Sequence, residues 1–161
     1  MTDSLLGAGA AARAALSLGG SSDKMGSDWV PVLEDVPLFE GLSRRHLKRI
    51  ARLARTRRFQ PGTAIIRAGD AGSACYVLLD GEARVVPSSG RSLLLKAGAV
   101  FGEMALLDDS PRSADVLAEG EALTMTITRR SFDKLLRSEP AIALALLRTL
   151  AARLRAAQGL S

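Results

Sequence analysis

At 161 residues the chain has the length of one domain, and 47% apolar residues suffice for a core although only 4% are aromatic. A single cysteine, Cys75, excludes an intrachain disulfide; a single histidine, His46, excludes a Cys/His zinc site of four ligands and leaves catalytic triads little to work with. The net charge of +5, from 22 Lys+Arg against 17 Asp+Glu, points to an anionic partner without setting its size.

Residues 1–28 contain five Gly and six Ala and little to bury, so they read as a flexible N-terminal tail with a transient helix over 10–18. Asp3 stands where a secretory signal carries positive charge, and no uncharged stretch reaches the roughly 18 residues of a membrane span. A cytoplasmic protein without membrane contact is expected, with its ordered domain over 29–161. Trp29, Leu33, Val36, Leu38 and Phe39 form an apolar approach that ends at Gly41. Ser43 has the character of an N-cap, and Leu42 and Leu47 are spaced as a hydrophobic staple. The spacing of Leu47, Ile50, Ala51 and Ala54 predicts a helix from about 44 to 55 with arginines and Lys48 on its other face.

From Thr56 to Thr128 short apolar runs alternate with turn residues such as Pro61-Gly62, Gly69 to Gly72 and Asp80-Gly81. The predicted strands are 64–67, 74–79, 83–86, 92–96, 114–117 and 122–127, which argues for an antiparallel sandwich or barrel. Cys75 falls within one of them and reads as a small buried hydrophobe. Helical spacing returns over 130–137, and Ser138-Glu139-Pro140 marks the start of a longer helix reaching about Gln158. Leu147, Leu150, Ala151 and Leu154 form its apolar stripe, read as packing against the barrel, with a lid and a dimer seam as further uses.

One stretch does not read as strand: FGEMALLDDSPRSADV, residues 101–116. Gly102 permits backbone geometry that a Cβ would block, and Glu103 to Leu107 suit a short helical turn with unpartnered leading N–H groups. Such a terminus accepts an anion, phosphate in particular. Asp108-Asp109-Ser110-Pro111 turns the chain back and returns Arg112 towards those N–H groups, where a guanidinium can close on two phosphate oxygens. Glu103 would repel the same ligand unless it accepts a hydrogen bond from a neighbouring hydroxyl. Phosphate and hydroxyl side by side describe a ribose phosphate.

This run closely resembles the phosphate-binding cassette of the cyclic nucleotide-binding domain family. PLFEGLS at 37–43, PGTAIIRAGDAGSACYVLLDGEARV at 61–85 and the helices at 130–158 extend the resemblance over most of the chain. It implies a mainly β fold, an antiparallel jelly-roll barrel (a cupin-like double-stranded β-helix) with an N-terminal helix and two C-terminal helices. It implies a binding site of Phe101, Gly102, Glu103, Met104, Ala105, Arg112, Ser113 and Ala114. Glu103 would take the ribose 2′-hydroxyl and Arg112 the cyclic phosphate, with main-chain N–H groups near Gly102, Ala105 and Ser113. In the family Thr at position 113 tends to favour cyclic GMP and Ala or Ser cyclic AMP, so Ser113 places cyclic AMP first.

The expected function is a cyclic-nucleotide-sensing regulatory module, not an enzyme, with no metal and no cofactor besides the ligand itself. An unidentified effector protein and a homodimer through Leu147, Leu150 and Leu154 are the other partners in view. The alternative is a ligand-independent interaction module of the same fold. The basic stretch at 44–58 reads as a solvated face, and nucleic acid is not an expected partner because no base-reading element and few aromatics accompany it.

Overall fold

The apolar approach to Gly41 is itself folded in the computed structural model, which describes residues 29–159. The tail over 1–28 and its helix at 10–18 lie outside the described residues. Pro31 sits in the first turn of α1 (Val30–Glu34) and Pro37 in that of a 3₁₀ turn (Pro37–Phe39), places where a missing N–H leaves no bond unmade. Val30, Val32, Leu33, Leu38 and Phe39 are all buried.

Helix α2 (Arg44–Ala51) begins as expected: Ser43 Oγ accepts from the His46 N–H at 3.2 Å, and Leu47, Ile50 and Ala51 are buried. It ends earlier than the periodicity predicts. The N–H groups of Leu53 and Ala54 donate to Ile50 and Ala51, and the chain then enters strand β1 (Arg55–Phe59). The basic stretch at 44–58 is therefore part helix and part strand. Residues 55–59 pair with 126–122 one for one and bury Phe59, and these tertiary gains outweigh helical spacing.

The remaining strands are β2 (Ala64–Ile66), β3 (Ala74–Asp80), β4 (Ala83–Pro87), β5 (Leu93–Leu95), β6 (Val100–Phe101), β7 (Ala114–Ala118) and β8 (Ala122–Thr128). All six predicted segments are recovered within a residue at each end, whereas the sequence pattern does not predict β1 and β6. All pairings are antiparallel, in two four-stranded sheets of order β1-β8-β3-β6 and β2-β7-β4-β5. Neighbours distant in sequence are what a jelly-roll requires. Helices α3 (Arg129–Ser138) and α4 (Pro140–Ala157) close the chain.

Two cores result. One lies between the sheets, where Phe59, Tyr76, Leu78 and Ala122 meet Ile65, Ile66, Ala83, Val116 and Ala118. The other joins the outer face of the first sheet to the helices, with Cys75, Val77, Leu79, Met125 and Ile127 against Phe39, Ile50, Phe132 and Ile142. β3 serves both, because its side chains alternate between them.

Two details of the C-terminal helices differ from expectation. Ser138 closes α3 by donating to the Leu135 carbonyl, and Glu139, the N-cap of α4, makes no side-chain capping bond. On α4 the residues fully buried against the body are Ile142 and Leu146, with Leu150 half-buried. Leu147 and Leu154, expected in the packing stripe, are 61% and 59% exposed.

Candidate ligand site

Two loops converge to build the site. The turn after β2 lies against the segment before β7: the Arg112 N–H donates to the Asp70 carbonyl and the Gly69 N–H to the Arg112 carbonyl, both at 2.8 Å. An isolated bridge pairs Ala71 with Pro111. Asp108 stabilises the intervening turn by accepting from the Ser110 hydroxyl (2.7 Å) and N–H (2.9 Å), which holds its carboxyl below the usual range.

The guanidinium of Arg112 is thereby placed over β3. Nη2 donates to the Ala74 carbonyl at 2.6 Å, and Nη1 makes a long bond of 3.4 Å to the Gly102 carbonyl. No carboxylate pairs with it among the described residues, so Asp108 and Asp109 do not neutralise it. Desolvation lowers its pKa from the ordinary arginine value, yet an arginine remains charged. Arg112 also borders a cavity of roughly 170 Å³ lined by Ile65, Ile66, Asp70, Ser73 and Tyr76. A cation without a carboxylate partner beside an open cavity is an arrangement that suits an anion, although Asp70 also lines that cavity.

Two glycines make the approach possible. Gly102 has φ +72, in the left-handed region, and a Cβ there would stand 2.6 Å from Arg112 Nη1. A Cβ on Gly72 would stand 2.8 Å from the Ala105 Cβ and 3.4 Å from Arg112 Cζ. After Gly102 a 3₁₀ turn (Glu103–Leu106) follows, as the sequence predicts. The Ala105 N–H donates to the Gly102 carbonyl at 3.1 Å, so the N–H groups that lead the turn are those of Glu103 and Met104.

The structure thus brings Gly102, Ala105 and Arg112 together. Phe101 joins them through Tyr76, whose ring it stacks on at 5.3 Å between centroids. Ser113 is exposed and Ala114 half-buried beside Arg112 in sequence, while Met104 is 47% exposed. Glu103 faces elsewhere: Oε2 accepts from the Leu38 N–H at 3.1 Å and Oε1 lies 3.6 Å from an Arg153 nitrogen. Of the eight residues predicted for the site only Arg112 borders the cavity. The remaining lining comes from β2, β3 and the loop between them. The Gly69–Gly72 cluster was legible as a turn but not as a wall of the site. Beneath the turn Cys75 is buried, its thiol pushed up to about 12 by desolvation first and by Glu103 second.

Comparisons with known proteins place the chain in a family. Residues 56–139, just over half of the chain, match the model of the cyclic nucleotide-binding domain. A cAMP-dependent protein kinase regulatory subunit of Hypocrea atroviridis is 38% identical over 104 residues, covering 65% of this chain and 22% of that protein. The chain therefore spans about a quarter of the length of the curated relatives it matches. Among solved structures, the N-terminal domain of a transcriptional regulator from Streptomyces coelicolor A3(2) superposes with a TM-score of 0.71 at 27% identity, over 80% of this chain and 96% of that one. The regulatory domain of Toxoplasma gondii PKA, crystallised with cAMP, gives a TM-score of 0.61 at 28% identity, over 80% and 50%. No helix among the described residues is long and apolar enough to cross a membrane. A domain matched over residues 56–139 and the antiparallel jelly-roll that carries it lead to one conclusion: the chain belongs to the cyclic nucleotide-binding domain family.

Proposed function

We propose that this chain binds a cyclic nucleotide, cyclic AMP in preference to cyclic GMP, and acts as a sensing module rather than an enzyme. The observation that carries the reading is the Arg112 guanidinium, which pairs with no carboxylate among the described residues and borders an open cavity. The cyclic phosphate would take its two free edge donors together with the N–H groups of Glu103 and Met104. Phe101, Gly102, Ala105, Ser113 and Ala114 would shape the remainder of the cassette around it. Glu103 retains acceptor capacity for a ribose hydroxyl, since a carboxylate offers about four lone-pair sites and two are engaged.

Output follows from the packing of the 3₁₀ turn. It lies on β3 and α3, and Leu106 is buried in the helical core. Ligand that draws the turn towards Arg112 moves Leu106, and α3 and α4 follow to the extent that the nucleotide prefers one arrangement over the other. Met104 and Leu107 are too exposed to share this coupling. An effector protein, and a homodimer through Leu147, Leu150 and Leu154, are the expected readers of that movement.

A second reading, an interaction module that has no ligand, is favoured by the engagement of Glu103 with Leu38 and Arg153. Calorimetric titration with cyclic AMP and cyclic GMP separates the two. Saturable heat, tighter with cyclic AMP, is expected; silence with both up to about 1 mM would leave the module reading standing.

A further inference from the structure

Between Gly41 and Gln60 there is no Asp or Glu, yet eight of the chain's 22 Lys and Arg residues fall there. Three are paired: Arg44 with Glu34, Arg49 with Glu139 and Arg58 with Glu121. The other five, Arg45, Lys48, Arg52, Arg55 and Arg57, are exposed and make no ion pair among the described residues. Two of them sit on β1, which ends its sheet and is bonded to β8 alone. The three other edge strands, β2, β5 and β6, have three, three and two residues; β1 has five. Short edges are protected from further pairing, and a five-residue edge is long enough to accept another strand.

We infer that the β1 edge and the adjoining α2 face dock an acidic, extended segment of a partner protein, which adds to the sheet beside β1. Arg55 and Arg57 lie on the strand face that buries Phe59, two residues apart, so carboxylates at alternate positions of the added strand meet them in turn. Arg57 also stacks over the Phe59 ring at 4.8 Å, which fixes its position on the edge. A polypeptide is favoured over a nucleic acid because the edge offers main-chain donors and acceptors in register. The patch's own aromatic, Phe59, is buried and cannot stack on a base. A second copy of this chain is disfavoured, since two β1 strands would set arginine against arginine. Residues 1–28 do not qualify either, with three Asp spread among Arg13 and Lys24. The Arg49–Glu139 pair, at 3.0 Å, ties this face to the α3–α4 junction.

The inference does not rest on nucleotide binding. A fluorescein-labelled octapeptide of alternating Glu and Val should bind the full chain saturably and weaken as salt rises from about 50 to about 300 mM. Hydrogen exchange should show amides of residues 55–59 protected by it. The Arg55→Glu/Arg57→Glu variant should lose about tenfold in affinity with an unchanged cyclic-nucleotide titration, its melting temperature lowered only by the lost contacts to the Phe59 ring and to the Arg52 and Ala54 carbonyls. A milder Arg55→Gln/Arg57→Gln pair should lose affinity in the same direction should the charge reversal unfold the protein. Tighter binding of a thymidine oligonucleotide than of the peptide, no saturable binding, or binding without protection at 55–59 would each overturn the proposal.

Discussion

Arg112 and the two glycines beside it carry opposite kinds of information. Arg112 supplies charge, and Arg112→Ala should cost about 2–5 kcal/mol of nucleotide binding, read by calorimetry. Gly72 supplies space. Gly72→Ala should push Ala105 and Arg112 apart, weaken binding about tenfold and lower the melting temperature, because Gly72 and Ala105 are both buried and a methyl 2.8 Å from the Ala105 Cβ forces the turn to shift. Equal affinity in the variant would mean that the arginine side chain simply gives way. Cys75 offers a test of burial below the site. The fold favours its neutral thiol, so with a pKa raised from 9.0 to about 12 its contribution is complete below pH 9 and fades as pH climbs to 12. Denaturant titrations across that window should show a steeper loss of stability for the native protein than for Cys75→Ala. Glu103 marks what the sequence could not disclose. Its residue type and spacing pointed to a ribose partner, whereas its contacts, to Leu38 and Arg153, come from segments 65 residues before it and 50 after it. No local pattern encodes such neighbours.

At the scale of elements, the jelly-roll strands were readable because each combines strand length with turn residues at both ends. The exceptions have physical causes. β1 shares its stretch with helix-compatible spacing, and only pairing with a strand over 60 residues away decides between the two. β6 is two residues long and carries no period at all. The stripe on α4 was read from leucine spacing alone; the body instead takes Ile142 and Leu146, one turn nearer the start of the helix and rotated around its axis. α3 is anchored by a single fully buried side chain, Phe132, whose ring sits 5.9 Å from that of Phe39. Phe132→Ala should therefore cost about 3–5 kcal/mol in chemical denaturation. A cost below about 1 kcal/mol would show that the neighbouring leucines refill the space.

For the whole molecule, the exposed leucines of α4 and the cationic face at β1 offer two separate surfaces. Leu144, Leu147 and Leu154 are each more than half exposed, with Arg148 and Arg155 beside them and no acidic residue on the helix. If they form a dimer seam, sedimentation should give a dimer that Leu147→Glu/Leu154→Glu converts to monomer; a native protein monomeric at about 100 µM removes the seam. The alternation of β3 reaches further than either surface. Ala74, Tyr76 and Leu78 belong to the barrel, and Cys75, Val77 and Leu79 to the helical layer, with all six buried. β3 is thus a party wall between two rooms, and neither room can be taken down alone. A fragment cut before α3 would wet one side of that wall and should forfeit the barrel as well. In the intact chain the β3 amides should exchange only through global unfolding, so the strand beneath Arg112 does not loosen locally. Movement in this fold has to go around the wall, at the 3₁₀ turn and the helices, rather than through it.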